Sequence, residues 1–271
     1  MIALISHTDK RMIETMLKTG LCCYIMGLSL VFLEPGTITA ADLEPAESVL
    51  NKIDDGSKKR NIYQNLKQII TEPSGRKKIV NVDLYCIDKG ERRIYHYLSP
   101  AWVKGIIVNI EKKGNAISVT SPFKKDTRDI QPVNRSAYVM ESDFTYEDLA
   151  SFSWGDHYAG MTLRMEEEGG VPCLVLSLRP VYDGSAYTRL VMWVDMKEYS
   201  VVRIDYYQKN ESTPFKQMLC KEFRVVGNTR VCTEVHMQHL YNGRNTLQMV
   251  TEMRFDEDVD YSRINESSGD Q

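Results

Sequence analysis

The chain has 271 residues, 42% of them hydrophobic and 26% charged, with a formal net charge of −3 and a pI near 6.0. That length admits two domains or one large β-rich domain, and the apolar share is enough for a full core. No basic block and no Lys/Arg stripe with interleaved aromatics is present, which sets aside nucleic-acid binding, because that depends on neutralising phosphates.

At the N-terminus Lys10, Arg11 and Lys18 precede an apolar run from Gly20 to Leu33, and the small residues Thr37-Ile38-Thr39-Ala40-Ala41 follow. Basic, apolar and small-residue regions in this order form a secretory signal. The run is 14 residues long, short of the roughly 18–20 needed to span a bilayer. Removal after Ala41 is expected, with Ala40 as the alternative. Cys22 and Cys23 lie early in the run and not at its end, which disfavours a lipidated N-terminus. Export leaves Cys86, Cys173, Cys220 and Cys232, for which three pairings exist. The Cys220–Cys232 pairing is disfavoured. A tight turn at Gly227-Asn228 sets Val235 opposite Cys220 and leaves Cys232 about 10 Å away, beyond the ~7 Å that a disulfide bridges.

Residues Leu43–Asp54 carry Val49, Leu50 and Ile53 on one helical face. Strands are then predicted over Ile62–Thr71, Lys78–Ile87 and Arg92–Leu98, followed by a hairpin of Gly105–Glu111 with Ala116–Thr120. Ser121–Arg135 is polar and turn-rich and predicts a loop. Thr145 and Asp148 form a capping box that starts a short helix over Tyr146–Phe152. Further strands are predicted over His157–Glu166, Val171–Arg179, Ala186–Val194, Val201–Tyr207, Phe215–Val225, Val231–Tyr241 and Thr246–Phe255, with Asn242-Gly243 a type I′ hairpin signal. The polar tail Asn265–Gln271 is expected to fray. The fold class is therefore mainly β: an incomplete antiparallel up-and-down barrel of about eleven strands over residues 42–264, curled because long open sheets curl. Its two helical pieces are the expected plug.

Candidate catalytic groups are few. His236 and His239 are three apart on a strand and point to opposite faces, so they are a poor metal pair. Asp156-His157 has no marked nucleophile beside it. The G-x-S-x-G, H-E-x-x-H, G-x-G-x-x-G and Walker sequences are absent, so the motif-bearing hydrolases, zincins and nucleotide enzymes are set aside. The apolar rows say more. Met161, Leu163 and Met165 share one parity, as do Leu174, Leu176 and Leu178, then Leu190, Met192 and Val194, then Val202, Ile204 and Tyr206. A further row is Leu247, Met249, Met253 and Phe255. Such rows either pack as an ordinary core or line a concave surface for acyl chains, and the 13 methionines suit an irregular guest.

Three stretches resemble the outer-membrane lipoprotein-sorting family, the LolA-like carriers of the bacterial periplasm. They are Tyr97-Leu98-Ser99-Pro100-Ala101 with Lys104-Gly105, then Ser142-Asp143-Phe144-Thr145-Tyr146-Glu147-Asp148-Leu149, then Ala186-Tyr187 through Trp193-Val194-Asp195. The resemblance spans about Leu43 to Asp256 and is closer to the branch found beside RND-type exporters than to the lipoprotein carrier proper. It implies a half-barrel with a helical lid over an apolar cavity, a periplasmic location and no catalysis, metal or cofactor. It also implies a lipidated protein or lipid as cargo, transient membrane contact, and an inner-membrane RND-type exporter as a further partner. The alternative it leaves open is a non-carrier accessory module docking on such an exporter. The sequence departs from the family at Ile117-Ser118-Val119-Thr120-Ser121-Pro122, where members carry an aromatic-rich strand. The family's lid-holding arginine has no clear counterpart.

Overall fold

The computed structural model describes residues 43–57, 61–208, 212–226 and 229–255. The expected export signal at 1–41, the Gly227-Asn228 turn and the tail at 265–271 lie outside the described residues. Helix α1 (Ala46–Ser57) comes first. The strands are β1 (Ile62–Thr71), β2 (Lys77–Ile87), β3 (Arg92–Ser99), β4 (Ile107–Glu111), β5 (Ala116–Ser121) and β6 (Asp126–Asp129). After the short helices α2 (Tyr146–Ala150) and α3 (Trp154–His157) come β7 (Tyr158–Glu168), β8 (Val171–Pro180), β9 (Arg189–Asp195), β10 (Val201–Tyr207), β11 (Lys216–Val226), β12 (Thr229–His239) and β13 (Asn245–Phe255). All 13 strands join one antiparallel sheet that curls but does not close. The mainly β half-barrel expected from the alternation is what forms, with β6 added inside the stretch read as a loop. β6 has no apolar residue to betray it, since Asp126, Thr127, Arg128 and Asp129 are all exposed.

The order departs from a continuous meander at one point. It runs β6-β5-β4-β3-β2-β1-β13-β12-β11-β10-β9-β8-β7. The first and last strands, β1 and β13, pair from Ile62↔Phe255 to Thr71↔Asn245 and so place both ends of the domain mid-sheet. The edges are β6 and β7, which are consecutive in sequence. Residues 130–157 must therefore link one edge to the other, and their apolar side chains Val139, Phe144, Tyr146, Leu149 and Phe152 join the same buried cluster as the inner sheet residues Val82, Leu176, Leu190 and Ile204. Ala46, Val49 and Leu50 of α1 belong to it too. Both expected helical pieces thus pack on the sheet.

A disulfide joins Cys220 to Cys232 with the Cα atoms 5.9 Å apart, which overturns the expectation that these two could not meet. The expected register does hold, with Cys220 opposite Val235, but the hairpin is irregular on both sides of Glu222↔Glu234. Residues inserted in the ladder bend the strands and shorten the path between positions that a regular ladder keeps apart. Cys86 and Cys173 are free thiols. Replacing both Cys220 and Cys232 by Ser should cost about 2–3 kcal/mol, the loop-closure figure for a separation of 12 residues, read as a lower guanidinium midpoint.

Candidate functional site

The site begins with the rows predicted to face inward. Leu174, Leu176, Leu178, Leu190, Met192, Val194, Ile204 and Tyr206 lie together on the inner face, none more than 4% exposed. The other predicted members lie elsewhere. Met161 and Met165 are 64% and 40% exposed, and Leu163 is half-buried. A bulge in β7 displaces Met161 and Leu163: Thr162 pairs with Leu176 but Arg164 pairs with Val175, so Leu163 is an extra residue and Thr162 takes the inner position, whereas Met165 stays opposite Leu174 on the edge strand. Val202 packs on the opposite face with Cys173, Val175, Val191, Trp193 and Tyr207, because the ladder of β10 with β9 slips between Val201 and Arg203. In β13 the buried residue is Thr246, with Val250 against the core, so Leu247 and Met249 face away, and a register shift at Thr251 sets Met253 and Phe255 opposite Gln64 and Ile62.

The inner rows are covered by the chain itself, and polar ties hold the cover. At α1, the Thr162 hydroxyl donates to the Glu44 carbonyl at 2.5 Å. The Lys52 ammonium reaches both the Tyr199 hydroxyl at 2.8 Å and the Glu44 carboxylate at 2.7 Å. At the other end of α1, Asp54 accepts from the backbone N–H groups of Trp154 and Gly155 at 2.8 and 2.9 Å. One carboxylate thus caps α3 and locks the two parts of the cover to each other.

The second set of ties starts from the predicted capping box. Thr145 and Asp148 cap α2 reciprocally as the sequence requires. Asp148 does more: its Oδ1 accepts from the Tyr187 hydroxyl at 2.6 Å, and its Oδ2 lies 2.5 Å from Lys216 Nζ. Lys216 is fully buried and also donates to the Tyr187 hydroxyl, with the Tyr206 ring 4.5 Å away. Burial pushes the Lys216 ammonium below its usual range, more strongly than the Asp148 carboxylate raises it. Glu147, also buried, accepts from the Ala186 N–H and the Tyr182 hydroxyl at 2.6 Å each, from Tyr158 at 3.2 Å, and from Ser185. Asp143 accepts from Thr246 at 2.8 Å, and its carboxyl is raised because burial outweighs Arg244, 3.4 Å away. Three carboxylates of one short motif therefore fasten the cover to β11, to β13 and to the loop after β8.

Lys216 was not legible as a site residue, since a lone lysine at the start of an alternating strand reads as solvated. The motif did point to this region, but only Asp148 had a local partner to reveal it. Beside Asp156-His157, the Ser153 hydroxyl donates to the Asp156 carboxylate at 2.7 Å. His157 is buried, its Nε2 has no hydrogen-bond partner among the described residues, and burial with the nearby Arg135 charge lowers its pKa below the ordinary 6.5. The unfolded chain then binds the proton more readily than the folded one, so this residue makes stability fall as pH drops below about 6.5. His157→Asn should flatten that fall in urea midpoints taken from pH 7 downward. An open cleft of about 500 Å³ at the border of the cover, with Ile70, Glu72, Lys78, Tyr138, Glu141 and Arg244 in its wall, holds bases already paired with acids.

Comparison with known proteins adds the following. A family profile described as "Uncharacterized protein"-like matches residues 90–267. No curated protein matches the sequence. A domain described as an outer membrane lipoprotein-sorting protein, from Vibrio parahaemolyticus, superposes with a TM-score of 0.74 at 18% identity, covering 82% of this chain and 97% of that one. A DUF1329 family protein from Desulfovibrio piger gives 0.72 at 19% identity, over 82% and 96%. A LolA superfamily protein from Nitrosomonas europaea gives 0.66 at 16% identity, over 81% and 97%. These likenesses establish the LolA-like fold.

Proposed function

We propose, from the premise that this chain belongs to the uncharacterized-protein family matched over residues 90–267 and has the LolA-like fold, that it is a periplasmic carrier holding acyl chains of a lipoprotein or lipid for transfer toward the outer membrane. One observation carries the reading. The inner apolar rows are covered not by a second sheet but by two short helical pieces held through a few polar ties. Such a cover can be exchanged for a guest. An acyl chain leaving water gains about 0.8 kcal/mol per buried CH₂. Against this stand the ties that break and any re-exposure of Leu50, Leu149 and Phe152. Cover and cargo thus compete for Leu174, Leu176, Leu178, Leu190, Met192, Val194, Ile204 and Tyr206, which keeps release possible wherever a membrane offers the acyl chain equal burial. Met161, Leu163 and Val202 have no part in this surface.

One observation favours a second reading, that of an accessory module docking on an RND-type exporter: the inner rows are buried beneath the chain's own side chains. Titration of delipidated protein with a fluorescent fatty acid separates the two. A carrier takes up the probe, and Asp54→Ala, which frees both N–H groups of α3 from α1, speeds uptake by about tenfold, the equivalent of the roughly 1–2 kcal/mol a cap is worth. Absence of uptake in both proteins would leave the accessory role.

A further inference from the structure

The Tyr97–Gly105 motif joins the covered core through Tyr97 and Val103, and its end is exposed. The turn after β3 and the turn after β5 lie at the same end of the sheet, because β4 runs between them antiparallel to both neighbours. They also touch. Gly105 has φ +81°, and a Cβ there would come within 3.1 Å of the Pro122 ring, so only glycine lets the two turns close on each other. Val103 is fully buried and anchors the first turn, and its N–H donates to the Pro100 carbonyl at 3.0 Å. With Val103 directed inward, Trp102 is left 42% exposed, and in the second turn Phe123 is 60% exposed.

Lys104, Lys124 and Lys125 flank these rings and are exposed, and Asp126 is the one acid in the two turns. None of the three lysines is in an ion pair among the described residues. Several bases on the sheet's other hairpin ends are paired: Arg76 and Lys78 are tied to Glu72, Arg92 to Glu111, and Lys113 to Asp156. Two aromatic rings at adjacent turn tips, ringed by unpaired ammonium groups, match the layering of an anionic bilayer surface. Rings settle at the headgroup level, and lysines meet the lipid phosphates.

We infer that the turns Ser99–Gly105 and Ser121–Asp126 form a membrane-docking tip that inserts Trp102 and Phe123 into an anionic lipid surface under the guidance of Lys104, Lys124 and Lys125. The inference rests on the carrier reading, to which it adds the place where the chain meets a membrane. A small folded tip binds reversibly, as a shuttle requires, because it buries two rings and not a spanning segment.

The test uses the full chain and vesicles of phosphatidylethanolamine with about 30 mol % phosphatidylglycerol, part of it carrying bromine on the acyl chains. Of the three tryptophans, Trp193 is buried and Trp154 lies within the cover, so bromine should quench mainly Trp102. Quenching is expected in the wild type and is expected to be largely lost in Trp102→Phe. The triple variant Lys104→Glu, Lys124→Glu, Lys125→Glu should weaken quenching-detected docking about a hundredfold, and neutral phosphatidylcholine vesicles should bind comparably poorly. All substituted side chains are exposed, and urea midpoints will show that the variants fold. Wild-type emission indifferent to bromine, or quenching as strong as the wild type's in Trp102→Phe or in the triple variant, overturns the proposal and leaves an acidic protein partner as the occupant. Fatty-acid uptake measured beside it keeps the two claims apart. Intact uptake in the triple variant separates docking from cargo binding, whereas quenching of Trp102 in a protein that takes up no fatty acid retains the tip and removes the carrier.

Discussion

Lys216→Met should lower stability by about 3–5 kcal/mol, the usual cost of removing one partner from a buried ion pair. Lys216 Nζ is 2.5 Å from Asp148 Oδ2, and both side chains are almost wholly out of water. The methionine fills most of the lysine's volume, so the loss comes from the carboxylate left without its cation and not from a cavity. Asp148 retains the Tyr187 hydroxyl and the Thr145 N–H as donors, which stops the effect from growing larger. Asp148→Asn keeps the cap on α2 while removing the charge. The double variant Lys216→Met, Asp148→Asn should therefore be more stable than Lys216→Met alone, with a coupling energy above about 1 kcal/mol in urea denaturation. A single variant within about 1 kcal/mol of the wild type would mean that the cover is not fastened through this pair.

Leu176→Ala should cost about 2–5 kcal/mol, as for other fully buried leucines. Leu176 is fully buried on β8, opposite Met192 of β9, at the centre of the row that the carrier reading assigns to acyl chains. The truncation removes three carbon atoms' worth of contact and leaves apolar space that stays dry. A fatty acid that enters this space binds the folded form alone, so it should restore part of the lost midpoint in proportion to its concentration, and more than it stabilises the wild type. Leu176→Glu, in contrast, forces a carboxylate into the same place and should prevent folding altogether. Thermal shifts of wild type and Leu176→Ala with and without a fatty acid give the readout. Recovery in neither protein would place acyl chains elsewhere or nowhere.

Alternation alone located most strands, because the side-chain period of two belongs to each strand by itself and survives whatever it packs against. The box at Thr145 and Asp148 was equally legible, since donors and acceptors three residues apart meet within one helical turn. From these, the antiparallel sheet and its short helical cover followed. The faces were less secure. A single inserted residue in β7 turns Met161 outward while Met165 stays opposite Leu174, and the slip in β10 moves Val202 to the opposite surface, because one extra residue reverses the parity across it. The Cys220–Cys232 bridge depended on a similar irregularity.

What the sequence by itself determined is therefore the local grammar: strands, turns, one cap, and the apolar rows from which an inner face could be built. What only the tertiary structure decided is how distant pieces meet. Pairing of β1 with β13 puts the edges at β6 and β7 and sends residues 130–157 between them as a cover. The same arrangement brings Lys216 to Asp148 across 68 positions. Contacts of that span leave no periodic trace, since they are selected by the burial of the whole sheet and not by the conformation of any one segment.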